Sequence, residues 1–297
     1  FEPPEMEQLF NKVASREVTE DDFDVDEELQ KPTFSKPGDE WHLGKHIVVC
    51  GDSTEQDTYQ KLLGDTRVNM ILTDPPYNVN VEETAGKIMN DNMSEEDFYK
   101  FLLSAFVCLH ECLADDGSIY VFHADTEGLN FRRAFADAGF YLSGCCIWKK
   151  NALVLGRSPY QWIHEPCLFG WKKEGRHEWY SDRKQTTVWE YDRPKDHPTT
   201  KPVQLMAYPI RNSSMTNGIV LDPFLGSGST LIACEETERV CRGIELDPKF
   251  VDVEVERFRA YMSDAGKSAD VYLIRDGQRL SYEEAVADMP QEADDGD

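Results

Sequence analysis

With 297 residues, 40% of them hydrophobic and 29% charged, the chain can build one large α/β domain with a full core plus extensions. No apolar run approaches the roughly 20 residues of a membrane span, and Phe1-Glu2-Pro3-Pro4-Glu5 lacks the features of a signal peptide, so a cytoplasmic protein without a membrane partner is expected. A net charge of −25 excludes a uniformly basic polyanion binder and confines any nucleic-acid contact to a local surface.

That charge is uneven. Residues 1–40 hold 13 acids against 4 bases and residues 263–297 hold 10 against 3, whereas Lys149–Lys201 holds 11 bases against 7 acids. The eight cysteines include no Cys-x-x-Cys pair, and Cys108 and Cys112, one helical turn apart, lack a second pair of zinc spacing. Reduced core thiols and no metal are expected. The missing initiator Met points to a piece of a longer chain.

In chain order, residues 1–40 read as an acidic, solvated linker centred on Glu20-Asp21-Asp22-Phe23-Asp24. His46-Ile47-Val48-Val49-Cys50-Gly51-Asp52 is a strand ending in Gly-Asp, with helical text to Leu63, and Asp52 reads as a helix cap. Val68–Leu72 is an apolar strand that empties into Thr73-Asp74-Pro75-Pro76-Tyr77-Asn78. The prolines hold the Asp74 and Pro75 carbonyls outward beside the Asp74 carboxylate, a row of acceptors suited to an amino group, and Tyr77 adds a ring on which a base can stack. An ordinary turn is the plainer reading.

Asn80–Asn92 reads as a flap. A helix opens at Ser94 and ends at Gly117, followed by a strand over Ser118–His123, a helix over Thr126–Ala138 and a strand over Tyr141–Trp148. This alternation argues for a mostly parallel sheet with helices on both faces. Lys149 then starts a basic segment in which Lys149, Lys150, Arg157, Lys172, Lys173, Arg176, Arg183 and Lys184 interleave with Trp162, Trp171, Trp179, Tyr180, Trp189 and Tyr191. Such interleaving suits phosphates and unstacked bases, although about half of these rings are expected in a core.

Ile219-Val220-Leu221-Asp222-Pro223-Phe224-Leu225-Gly226-Ser227-Gly228 is a second strand, here ending in a Gly-x-Gly turn before the helical run Leu231–Glu235. The glycines allow close backbone approach to a ligand, or serve only the turn. Roughly 20 residues on, Gly243-Ile244-Glu245 is a strand ending in acid, where nucleotide-binding folds place a carboxylate on ribose hydroxyls. Asp247-Pro248 starts a further helix. Ser263–Lys267 reads as a linker, Val271–Ile274 as a strand and Ser281–Ala287 as a short helix before an acidic end.

Asp74-Pro75-Pro76-Tyr77 with Asp222-Pro223-Phe224-Leu225-Gly226-Ser227-Gly228, and His197-Pro198-Thr199-Thr200-Lys201-Pro202 between them, resembles the amino-group DNA methyltransferases of the permuted β order. The likeness runs from about Trp41 to Met262. It implies a Rossmann-like α/β methyltransferase fold over 41–148 and 197–262, with 149–196 as an inserted target-recognition region and 263–297 as a C-terminal extension. It further implies S-adenosylmethionine as cofactor, held by Asp52, Asp222, Phe224, Gly226, Ser227, Gly228, Glu245, Thr200 and Lys201. Double-stranded DNA is the implied partner, with the eight basic residues named above as its contacts. A homodimer and a preceding ParB-like domain are further implications. The catalytic residues are then Asp74, Pro75, Pro76 and Tyr77, acting on an extruded adenine, since Asp at the first position goes mostly with adenine in that family. Cytosine N4 methylation and a silent DNA-binding or partition-associated module stay open as alternatives.

Overall fold

The computed structural model describes residues 3–13, 17–78, 82–83, 86–87, 93–154, 159–193 and 200–288. Arg157, His197-Pro198-Thr199, the acidic end and all of the expected flap except 82–83 and 86–87 lie outside the described residues.

The elements in chain order are α1 (Pro3–Val13), α2 (Val25–Glu28), β1 (Glu40–Leu43), β2 (His46–Cys50), α3 (Gln56–Leu63), β3 (Val68–Thr73), β4 (Glu82–Glu83), β5 (Gly86–Lys87), α4 (Glu95–Cys112), β6 (Leu113–Phe122), α5 (Gly128–Asp137) and β7 (Phe140–Val154). They continue with β8 (Trp162–Lys172), β9 (Val188–Glu190), α6 (Val203–Ser213), β10 (Ile219–Asp222), α7 (Ser229–Glu236), β11 (Val240–Glu245), α8 (Pro248–Asp264), β12 (Val271–Arg275), β13 (Gln278–Ser281) and α9 (Tyr282–Ala287). The main sheet has the order β13-β12-β1-β2-β11-β10-β3-β6-β8-β7-β9. Its centre, β2-β11-β10-β3-β6, is parallel throughout.

Both faces of that centre are covered, which is why its strands read as unbroken apolar runs. Met70, Leu72, Tyr120 and Phe122 pack with Leu205, Leu231 and Val251 of α6, α7 and α8. Their chain neighbours Ile71, Ile119 and Val121 point the other way, onto Tyr59, Phe98, Leu102 and Phe131 of α3, α4 and α5. The helix starts follow local chemistry. Ser94 accepts from Asp97 N at α4, and Asp247 accepts from Lys249 N with Pro248 behind it at α8.

Three expected boundaries are corrected. Helix α4 stops at Cys112 rather than Gly117, and β6 starts at Leu113 through a register shift that pairs Val68 with Leu113 and Met70 with Ser118. Lys149 is not a border: β7 runs on to Val154, and β8 pairs with β6 inside the main sheet, so residues 149–172 are not a separate insert.

The N-terminal stretch is no solvated linker either. Val18, Val25, Leu29 and Phe34 are buried, and the acids have specific partners. Glu20 accepts from the backbone N–H groups of Val203 and Gln204 at the start of α6, Glu7 pairs with buried Arg239, and Asp21 pairs with buried Arg257. Composition counted these carboxylates as solvated, whereas each one answers a donor far along the chain. The C-terminal hairpin β12–β13 extends the sheet beyond β1, and Arg275 ties it to buried Asp39. Among the described residues no helix is long and apolar enough to cross a membrane.

Candidate active site

Because β2, β11, β10 and β3 are parallel neighbours, their carboxyl ends open at one edge of the sheet, bringing Asp52, Glu245, the glycine loop and Asp74 together. Side chains stitch the two motif loops to each other. Asp222 Oδ1 accepts from Thr73 Oγ1 at 2.9 Å and from Phe224 N at 3.2 Å, while Oδ2 accepts from Thr230 Oγ1 at 2.6 Å. Asp222 is 2% exposed and fully engaged, so it braces the cradle instead of facing a ligand, which corrects its expected cofactor contact.

Burial pushes Asp222 up to about 7, and it does the same to Asp252, which accepts from Phe34 N and Ser35 N. For both, the folded value lies above the unfolded one, near 3.8. The stability they contribute is present below pH 4 and lost as pH rises through 7, on the order of 4 kcal/mol each at full ionisation. Glu165 and Glu235, both held near 2, are ionised above pH 5.5 in either state. The melting temperature is therefore expected to fall between pH 5.5 and 8.5, and less steeply in Asp222→Asn. A flat profile in the wild type would contradict this assignment.

Gly226 and Gly228 have φ of 56° and 83°, left-handed values that a side chain would strain. Gly226 N donates to Glu245 Oε2 and Asp247 N donates to Glu245 Oε1, both at 2.9 Å. Burial raises Glu245 to about 6. The Ser227 carbonyl accepts from Arg257 Nη1 at 2.7 Å, and half-buried Phe224 meets Phe101 edge-on. Asp52 Oδ1 accepts from Thr54 N and Oγ1, a local turn before α3. Ser229 Oγ donates to the Lys201 carbonyl, which holds the 200–202 segment over the start of α7. Beside it Thr200 Oγ1 is buried without a partner among the described residues. An orphaned hydroxyl, a left-handed glycine loop and a strand-end carboxylate together fit a ligand with a polar amino-acid end and ribose hydroxyls.

The tetrapeptide Asp74-Pro75-Pro76-Tyr77, expected to be catalytic, does not stand alone. Asp74 accepts from the Tyr77 hydroxyl and from Lys201 Nζ. Lys201 Nζ also lies 3.1 Å from Glu165 Oε2 and 3.2 Å from the Tyr77 oxygen, and Lys150 Nζ closes onto Glu165 Oε1. The Lys201 ammonium sits 5.4 Å from the ring centres of Tyr77 and Phe122 and 5.9 Å from Trp148. Pro75 is buried and Pro76 half-buried. Burial raises Asp74 against the lowering pull of Lys201. For Glu165 burial also pushes up, but Lys201 and Lys150 outweigh it and hold the carboxyl at about 2. Lys201 thus bridges the two loops, its carbonyl on α7 and its ammonium on Asp74. Sequence reasoning missed Glu165, although a carboxylate directly before the apolar run Pro166–Phe169 was a usable signal.

A family profile described as DNA methylase matches residues 68–256, more than half of the chain. The chain belongs to the DNA methylase family. The putative methylase YubD of Escherichia coli (strain K12) is 30% identical over 179 residues, spanning 60% of this chain and 76% of that protein. Type II methyltransferase M.HpaI of Haemophilus parainfluenzae is 27% identical over 238 residues, spanning 71% and 73%. The crystal structure of the M1.HpyAVI–SAM complex shares the fold, with a TM-score of 0.55 and 22% identity across 71% of this chain and 97% of that one. DNA methylases of this family take their methyl group from S-adenosylmethionine.

In this DNA methylase the expected phosphate contacts scatter. Lys149, at the site edge, is exposed and paired with Glu190, whereas Lys150 is buried on Glu165, which corrects its reading as a phosphate contact. Strand β8 runs antiparallel to β6, so the seven steps from Glu165 to Lys172 cross the sheet, about 23 Å. Lys172 and Lys173 therefore lie at the far edge, on Asp115 and the Ala136 carbonyl, and the Arg176 N–H donates to the Asp115 carbonyl there. Arg183 and Lys184 are exposed in the loop leading to β9. Of the expected aromatics Trp189 is core, and Trp162 is 38% exposed at the start of β8, where the β7–β8 pairing runs on past the end of β6, near exposed Leu153, Tyr160 and Ile163.

Proposed function

We propose that this DNA methylase transfers the methyl group of S-adenosylmethionine to the N6 amino group of an adenine extruded from double-stranded DNA. The observation that carries the reading is the Asp74 carboxylate, braced by Tyr77 and Lys201, at the edge it shares with the glycine loop. An aspartate at this position, where a serine accompanies the cytosine amine in the resembling enzymes, favours adenine. The cofactor, when bound, supplies an electrophilic methyl on a sulfonium. Glu245 would hold its ribose hydroxyls, Gly226 to Gly228 and Thr200 would hold its amino-acid end, and Asp52 would reach its adenine.

This chain's residues then do the positioning. Asp74 and the Pro75 carbonyl accept the two amine hydrogens, localise the nitrogen lone pair and stabilise the positive charge that grows on it. As the N–C bond forms and the S–C bond breaks, the surplus proton leaves the nitrogen for solvent. Tyr77 stacks on the base, and the β7–β8 hairpin with Trp162 and Lys149 meets the distorted strand. Digestion of DNA labelled by the enzyme to nucleosides is expected to return the label on N6-methyladenine. Label on cytosine would reverse the assignment, and none at all would favour the silent module.

A further inference from the structure

We propose that Glu165 is a specificity-determining residue, completing with Asp74 and Lys201 an acceptor–donor–acceptor row that fits the Watson–Crick edge of adenine and rejects that of cytosine. The proposal rests on the adenine reading above. It adds a residue from β8, outside both motif loops.

Carboxylates only accept hydrogen bonds and an ammonium only donates them. Lys201 Nζ lies between Asp74 Oδ2 and Glu165 Oε2, so the three groups stand in that order, with the Tyr77 hydroxyl contacting both carboxylates. The Asp74 and Glu165 side chains keep 22% and 18% exposure in an otherwise buried cluster, so both ends of the row reach solvent. Lys150 neutralises Glu165 from its other oxygen and keeps it a carboxylate.

An extruded base is read along its Watson–Crick edge. Adenine offers an amine donor, a ring-nitrogen acceptor and then a C–H. Cytosine offers an amine donor, a ring-nitrogen acceptor and then a carbonyl. In both, the amine takes Asp74, and Lys201, yielding that carboxylate while keeping Glu165, donates to the ring nitrogen. The third position separates them. A C–H rests against a carboxylate without penalty, whereas the cytosine carbonyl sets its acceptor against the Glu165 acceptor. The base whose edge matches the row at all three positions is 2,6-diaminopurine, which carries a donor there.

The test uses oligonucleotides bearing the enzyme's own site, found by modification sequencing, with the target adenine replaced by 2,6-diaminopurine, 2-chloroadenine or cytosine. The target is set opposite an abasic gap so that pairing strength does not enter. The wild type is expected to favour 2,6-diaminopurine over 2-chloroadenine, equal in bulk but without the donor, by about tenfold in kcat/KM. In Glu165→Gln the 2,6-diaminopurine to adenine ratio is expected to drop about tenfold and the cytosine to adenine ratio to rise, since the amide donates to the cytosine carbonyl. Melting and cofactor titration report whether this variant is folded, and the wild-type comparison decides without it. Equal wild-type rates on the two purine analogues, or unchanged ratios in a folded Glu165→Gln, overturn the proposal while leaving adenine methylation standing. A wild type that methylates only cytosine overturns both.

Discussion

Asp74→Ala is expected to lower kcat for methyl transfer by roughly 1,000-fold while cofactor and DNA affinities change little. On the proposed reading the carboxylate is one of two acceptors that aim the amine, and its share of the work grows as charge develops on nitrogen. Such a contact appears mainly in kcat, because the ground-state amine is neutral. Its removal does not strand a buried cation: Lys201 keeps Glu165 at 3.1 Å. Asp74→Asn is the sharper variant, since it preserves volume yet can turn an N–H toward the amine and lose the attraction. Single-turnover rates beside calorimetric cofactor binding separate these effects. A variant within tenfold of wild type would remove Asp74 from the chemistry.

Asp21→Ala is expected to destabilise the fold by about 3–5 kcal/mol, a large effect for a residue in a stretch of acidic composition. The Arg257 side chain is 3% exposed, and Asp21 meets it with both oxygens, at 2.8 Å on Nε and 3.0 Å on Nη2. Without that partner a guanidinium remains buried with only the Ser227 carbonyl and nearby hydroxyls. Since that carbonyl belongs to the glycine loop, weaker cofactor binding is expected to accompany the lost stability. Asp22→Ala, on the exposed neighbour, serves as the control and is expected within about 0.5 kcal/mol of wild type. Urea unfolding measures both. A loss below 1 kcal/mol for Asp21→Ala would show that the pair contributes no net stability.

The two loops were legible in the sequence because their signals are local. Proline after an apolar run and Gly-x-Gly after another fix backbone shape within a few residues, and alternation then places both at one sheet edge. What could not be read depends on distant register. Glu165 reaches Lys201 and Tyr77 only because β8 runs antiparallel to β6, and the same geometry carries Lys172 and Lys173 to the opposite edge, away from the site. A run of basic residues in one dimension therefore became two separate groups in three. The acidic start misled for a related reason: composition sums charges, whereas Glu7, Asp21 and Glu20 each answer particular donors more than 180 residues away.

The bond between Thr73 and Asp222 has a mechanical consequence. The Asp74 loop and the glycine loop hang from adjacent rungs of one sheet, so their separation follows strand spacing, about 4.8 Å, and not the swing of a hinge. On the proposed reading the alignment for catalysis is built at folding, and the nucleotide is the partner that has to travel.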